Sequence, residues 1–216
     1  MLTRSDQTVP DCLEVFDEIR PLGLTHIGFK DVGVPPDVLA ELDRRIKDSG
    51  ATSYMEVVST STEASLRSAR VARDLGVDRL LGGTQVEAVL EILAGSTVRY
   101  LPFPGKPFDH PTKLGGSAGQ IEDDCRRFQA LGCAGVDLLA YRATEADPLA
   151  LVRAARRGTD GTLLVAGSVQ RPDQIQALAA AGADAFTIGS AAFDGSFAPR
   201  VGLLVSQLRA ILAAAA

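Results

Sequence analysis

The sequence predicts an α/β fold of one (β/α)8 barrel spanning residues 1–216, and three observations lead there. Apolar runs of four to seven residues alternate with helical patterns along the whole chain, the mark of βαβ units around a parallel sheet. Gly23, Gly50, Gly76, Gly132, Gly158 and Gly182 stand between a helical pattern and the next apolar run, where a left-handed residue closes a helix. No linker or domain boundary interrupts the 216 residues, a length that suits a compact barrel. An open doubly wound sheet is the alternative architecture.

The elements follow in order. MLTR (1–4) supplies a short first strand, and SDQTVPDCLEVFDEI leads into a first helix. HIGF (26–29) precedes a helix at about 36–48, and YMEVVS (54–59) precedes one carrying Leu66, Val71 and Leu75. RLLGG (79–83) is followed by a helix with Val86, Val89, Leu90 and Leu93. VRYLPF (98–103) leads to the longest connection, FPGKPFDHPTKLGGSA (103–118), and then to a helix at about 118–131. GVDLLAY (135–141) precedes a helix near 147–157; LLVAGS (163–168), AFTIGS (185–190) and a helix at about 200–214 complete the set. Thr8/Asp11, Thr60/Glu63, Thr84/Glu87 and Ser117/Gln120 have capping-box spacing at four helix starts.

Composition excludes several function classes. With 46% hydrophobic and 23% charged residues, the chain is an ordinary globular one. A net charge of −5 and a pI near 5.1 oppose nucleic-acid binding, which needs clustered Lys and Arg. No apolar run reaches the roughly 18 residues of a membrane span, and the first residues carry no signal-peptide core. Cys12, Cys125 and Cys133 are an odd set at irregular spacing, expected as reduced buried thiols in a cytoplasmic protein. His26 and His110 are the only histidines, and no metal-ligand spacing, GxGxxG or P-loop pattern surrounds them.

The two Gly-Ser pairs, Gly167-Ser168 and Gly189-Ser190, carry the first functional expectation. In a barrel they fall at the ends of strands seven and eight, where this fold commonly binds phosphate. Glycine lets backbone N–H groups approach an anion, serine adds a hydroxyl, and SAAFDGSF (190–197) can form the short extra helix of such sites. LLVAGSV…QIQALAAAGADAFTIGSAAF resembles the phosphate-binding half of the ribulose-phosphate-binding barrels. That superfamily includes phosphoribosylanthranilate isomerase, indole-glycerol-phosphate synthase, the histidine-pathway barrels and thiamine-phosphate synthase. The likeness covers about the last 55 residues and implies a phosphorylated ligand, not a reaction. The first strand lacks the aspartate of the histidine-pathway isomerase, and the DxKxxD pattern of the orotidylate-decarboxylase group is absent. Gly82, Gly83 and Thr84 echo a second such turn and could hold a second phosphate.

Strand alternation selects the groups that face the barrel interior. In HIGFK it turns His26, Gly28 and Lys30 inward, in YMEVV Glu56, and in VDLLAY Asp137, Leu139 and Tyr141. Lys30, Glu56 and Asp137 are therefore the candidate catalytic set: a lysine that attacks a carbonyl or stabilises an enediolate, and carboxylates that move its proton. A structural salt bridge would equally account for all three. THIGFKD is similar to strand endings that carry a Schiff-base lysine in the furfuryl-phosphate synthase barrels, with Gly28 where those have aspartate. His26 reads as a hydrogen-bonded core residue, Asp31 as a helper of Lys30 or a loop ligand, and Arg4 and Arg142 as cations able to reach a carboxylate or phosphate. Lys106, His110 and Lys113 could form a lid on the long connection.

The expected function is an enzyme acting on a small phosphorylated metabolite by isomerase or lyase (aldol-type) chemistry, through an enediolate or a Schiff base. Gly167, Ser168, Gly189 and Ser190 would anchor the phosphate. No cofactor is required, although Glu56 and Asp137 could hold Mg²⁺ with substrate oxygens. A homo-oligomer is compatible with the sequence. The competing classes are a non-catalytic phospholigand-binding barrel and a flavin barrel, the latter poorly served by the absence of Trp.

Overall fold

The computed structural model describes residues 1–57 and 61–216. Its first element is a small hairpin of β1 (Thr3–Arg4) and β2 (Gln7–Thr8). Ser5 and Asp6 form the two-residue turn, both at positive φ (50° and 59°), the backbone of a type I′ turn, in which aspartate is among the tolerated residues. Helix α1 (Cys12–Ile19) follows. The next strands are β3 (His26–Lys30), β4 (Thr52–Glu56), β5 (Arg79–Leu81) and β6 (Arg99–Leu101), a four-stranded parallel sheet in sequence order. Its strands alternate with α2 (Pro36–Asp48), α3 (Thr62–Leu75) and α4 (Val86–Leu93).

Residues 103–118, expected as an open loop, instead hold a second hairpin, β7 (Lys106–Phe108) and β8 (Lys113–Gly115), with a cis His110–Pro111 bond in its turn. After α5 (Ala118–Ala130) comes a three-stranded parallel sheet of β9 (Gly135–Leu138), β10 (Thr162–Val165) and β11 (Ala185–Phe186). These strands alternate with α6 (Pro148–Gly158) and α7 (Pro172–Ala181), and the short α8 (Ser190–Phe193) and the final α9 (Leu204–Ala215) end the chain.

Hydrogen bonds link the two sheets on both sides. Ala134 N–H donates to Tyr100 O at 2.9 Å and Asp137 N–H to Pro102 O at 2.9 Å. On the other side Met1 N donates to Ile188 O at 2.9 Å and Leu2 N–H to Gly28 O at 2.7 Å. The segment expected as the first strand therefore lies between β11 and β3, although its regular pairing is with β2. A Cβ at Gly28 would meet the end of the Met1 side chain and the Tyr54 Cβ, so the first segment packs closely over β3 there. One continuous set of buried apolar side chains runs from Phe29 and Met55 through Leu80, Leu101, Leu138 and Val165 to the helices around them. Leu39, Leu42 and Ile46 are the buried stripe of α2, each contributing about 1.5–3 kcal/mol by leaving water.

The helix ends show what local pattern can and cannot decide. Gly23, Gly50, Gly76, Gly132 and Gly182 have positive φ, as expected of C-terminal caps. Gly158 does not: it is the last residue of α6, and a Cβ there would run into Glu122 O and the Cys125 Cβ of α5. Close helix packing, not a turn, requires it. Ser117 caps α5 by accepting from Gln120 N–H at 3.3 Å. Thr84 caps nothing, because α4 starts after Gln85 without a side-chain cap. Thr60 lies outside the described residues, and Ser61 accepts from Ala64 N–H as the cap of α3. Cys12 and Cys125 are buried, Cys133 is half-buried, and all three are free thiols.

Candidate active site

The strand ends assemble a charged cavity. Lys30 is the last residue of β3 and lies in register with Glu56, the last of β4, so the parallel pleat sets both side chains on one face. Lys30 Nζ is 3.3 Å from Glu56 Oε1 and 2.8 Å from Asp6 Oδ1. Asp6 comes from the turn of the first hairpin, and Thr8 fastens that hairpin to the strand end. The Thr8 hydroxyl donates to Lys30 O at 2.8 Å and accepts from Lys30 N–H at 2.9 Å. Thr8 does not cap α1, which begins at Cys12 after Asp11 without a side-chain cap.

Arg142 completes the network. The strand pattern ends at Leu138, and Ala140–Arg142 form a 3-10 turn that breaks the two-residue alternation. Leu139 is buried in the core and Tyr141 is half-buried against it, whereas Arg142 reaches Asp6. Its NH2 lies 3.2 Å from Asp6 Oδ1, and its NH1 lies 3.5 Å from Asp6 Oδ2 and 3.2 Å from Thr112 O. Neither Asp6 nor Arg142 belongs to the set that alternation selects. A hairpin turn with two positive φ values places one, and a change from strand to 3-10 geometry places the other.

Protonation states follow from this packing. Burial alone would lower the Lys30 pKa, but the Glu56 and Asp6 carboxylates overcome it and the net shift is upward, so the side chain is an ammonium at neutral pH. Burial likewise works against the Asp6 carboxylate, yet Lys30 and Arg142 bring its pKa down to about 2. Asp137 is fully buried, and neither carboxylate oxygen has a hydrogen-bond partner. Burial first, and then the Glu56 charge, push its pKa well above the ordinary carboxylate value, which favours the protonated form of Asp137. It faces inward as alternation requires but does not line the cavity.

The cavity, of about 120 Å³, is lined by Asp6, Lys30, Glu56 and Arg142 together with Gly167, Ser168, Gly189 and Ser190. Gly167 (φ 76°) and Ser168 (φ 60°) are successive left-handed residues, a turn that β10 needs to enter the loop before α7. Gly189 abuts the Thr3 hydroxyl and carbonyl, where a Cβ would not fit. Among the described residues, the N–H groups of Gly167, Ser168, Gly189 and Ser190 have no acceptor in the protein. The Ser190 hydroxyl accepts from Ser5 N–H at 3.4 Å. Four free amide donors beside two cations make this wall suited to an anion.

Several expected candidates lie elsewhere. His26 is exposed at the start of β3, 3.1 Å from the Tyr54 hydroxyl: alternation gives its face but not its depth, and it is not a core residue. Asp31 accepts from the Ser68 hydroxyl of α3, and Arg4 pairs with Asp194 at the surface. Lys106, His110 and Lys113 are exposed on the second hairpin and do not line the cavity; Lys113 pairs with Asp109. A Cβ at Gly82 would meet the Phe103 ring, and one at Gly83 Ser65 and Tyr100, so the second Gly-Gly turn is closely packed. A larger hollow of about 480 Å³, lined by residues including Lys47, Asp78, Arg79 and Arg99, opens at the opposite ends of the strands, remote from this chemistry. Among the described residues no group of three or more His, Cys, Asp or Glu could hold a metal ion, and the carboxylates that do line the cavity, Asp6 and Glu56, both pair with Lys30.

The sequence matches no protein-family model and no curated protein. Its structure is similar to a 3-hexulose-6-phosphate synthase, with 15% identity, a TM-score of 0.66, and 94% of this chain covering 93% of that one. It is similar to the orotidine 5′-phosphate decarboxylase of Pyrococcus horikoshii OT3, at 14% identity, TM-score 0.63 and coverage of 94% and 92%. A native KDPGal structure matches at 11% identity, TM-score 0.66 and coverage of 95% and 91%. Likeness at such identity fixes the fold alone, that of the TIM barrels. In the described residues no helix is long and apolar enough to cross a membrane.

Proposed function

We propose that this protein is an enzyme that takes a small phosphorylated carbonyl compound and forms an enediolate from it, in an isomerase or lyase reaction. The observation that carries the reading is the shared cavity: a lysine held charged by two carboxylates faces a wall of free backbone amides. Gly167, Ser168, Gly189 and Ser190 would hold the phosphate through N–H groups and hydroxyls. The Lys30 ammonium would sit against the carbonyl oxygen and stabilise negative charge as it develops there. Glu56, which also lines the cavity, would remove the proton from the neighbouring carbon. The protonated Asp137 would keep the charge beneath Glu56 low. The 3-hexulose-6-phosphate synthase and the orotidine 5′-phosphate decarboxylase named above support the phosphate theme only by analogy, since fold does not fix chemistry.

A Schiff base needs a neutral amine, and the two carboxylates at Lys30 oppose it. A purely structural ion network is opposed by the open cavity over these groups. The test is exchange of substrate C–H for deuterium in D2O, followed by NMR over a panel of phosphorylated aldoses and ketoses. Exchange that falls by about 10²–10³-fold in Lys30→Met is the expected result. A borohydride-trapped adduct lost in Lys30→Ala would instead establish the imine route. Phosphate binding with no exchange on any panel member would leave a binding protein.

A further inference from the structure

We infer that Arg142 is a positioning residue that couples an anion on the Gly167/Gly189 amides to the Asp6–Lys30 ion pair. The inference rests on the anion wall proposed above and adds a role for a side chain outside the expected catalytic set. Three features of the structure lead to it.

The first is where the guanidinium crosses. The Arg142 side chain lies so close over Gly167 that a Cβ there would collide with its Nε and Cδ. Its Nε–H makes no hydrogen bond within the described residues and lies beside the loop whose own N–H groups are free. An anion seated there gains a charge-assisted donor without moving the arginine backbone. The second feature is the inequality of the Asp6 contacts. Lys30 Nζ is 2.8 Å from Asp6 Oδ1, while Arg142 approaches at 3.2 and 3.5 Å. Arg142 is the looser partner, and an anion competing for it draws charge away from Asp6 before disturbing Lys30. The third is the anchor: NH1 also donates to Thr112 O of the second hairpin at 3.2 Å. The guanidinium is thereby held between both ligands instead of swinging into solvent.

The charge balance gives the consequence. The Lys30 and Arg142 cations balance the Asp6 and Glu56 carboxylates, and the Met1 amine on the same cavity, whose pKa burial lowers to about 6, adds little charge at neutral pH; the anion-facing positive charge is masked by Asp6. An anion that engages Arg142 leaves Asp6 wholly to Lys30. The ammonium is then fixed in place at the moment the substrate is bound, while Lys30 keeps its charge.

The experiment is a double-mutant cycle on binding of inorganic phosphate, read by calorimetry or ³¹P NMR. It uses wild type, Asp6→Asn, Arg142→Met and the double variant. Asparagine keeps the shape of Asp6 and its tolerance of positive φ. Asp6→Asn should tighten phosphate about tenfold in the presence of Arg142 and by about twofold or less in its absence, since coupled residues are not additive. Arg142→Lys should restore part of the affinity as a point charge but not the full coupling, because it lacks the planar fork. Equal gains from Asp6→Asn in both backgrounds would overturn the coupling while leaving the amide wall intact. No phosphate binding by wild type at millimolar concentration would overturn the wall itself, and the inference with it. If Arg142→Met does not fold by circular dichroism, Arg142→Gln, which keeps a donor for Thr112 O, completes the same cycle.

Discussion

Replacing Asp137 with asparagine should change how stability depends on pH. Asp137 is completely buried with both oxygens unpartnered, and burial, reinforced by Glu56, raises its pKa well above the ordinary carboxylate value. In the unfolded chain it ionises near pH ~3.9. Between that pH and its folded pKa, the folded state therefore holds one proton that the unfolded state has released. Stability falls with rising pH over that window, by about 1.4 kcal/mol per pH unit. Asparagine is neutral in both states and removes this slope. Urea unfolding of wild type and Asp137→Asn, fitted at half-unit steps upward from pH 4, should show the variant gaining on wild type by about 1.4 kcal/mol for each pH unit crossed below the folded pKa. Parallel profiles would refute the reasoning, because they would mean Asp137 ionises in the folded protein as readily as in the unfolded chain. Adding Glu56→Gln should narrow the window from above, since the neighbouring charge helps hold the proton.

Three further outcomes follow from the same geometry. Gly167→Ala places a Cβ against Arg142 at a left-handed residue, and should cost about 1–3 kcal/mol in chemical unfolding and weaken phosphate binding in titration. Thr8→Val removes both side-chain bonds to the Lys30 backbone inside the protein; the unsatisfied groups should cost about 1–3 kcal/mol and, in the exchange assay, lower turnover more than substrate binding. Because Asp6 and Glu56 raise the pKa of Lys30, the pH–rate profile should show no loss of activity from lysine deprotonation below pH ~10, whereas a Schiff-base lysine would give an alkaline rise.

Much of the fold was legible because it rests on local rules. Helix α2 falls at 36–48 as the periodicity requires, and five of the six glycines cap helices through positive φ. Gly158 was read wrongly since a glycine needed for contact with another helix has the same sequence appearance as one needed for a turn. In the site, alternation places Lys30 and Glu56 side by side and turns Asp137 inward. It also assigns His26 to the interior, because period two carries no information on depth. Asp6 and Arg142 fall outside the alternation set for a common reason: each lies beyond the end of a strand, Asp6 two residues past Arg4 and Arg142 four past Leu138, where the period ceases to hold. The prediction of an open loop at 103–118 failed because Pro and Gly do not distinguish a short hairpin from irregular chain.

The contacts that complete the charged cluster have a consequence for when the cavity can form. Met1 meets Ile188 across 187 positions of sequence, Ser5 meets Ser190 across 185, and Arg142 meets Asp6 across 136. During synthesis, Lys30 and Glu56 emerge early and can pair in a nascent sheet, while the Gly167 and Gly189 loops are still unmade. The cavity closes only when the last strand and α8 have left the ribosome and found residues 1–6. Such long-range closure is slow compared with forming the helices, and a chain arrested before residue 190 would carry the Lys30–Glu56 pair without the α8 side of its cavity.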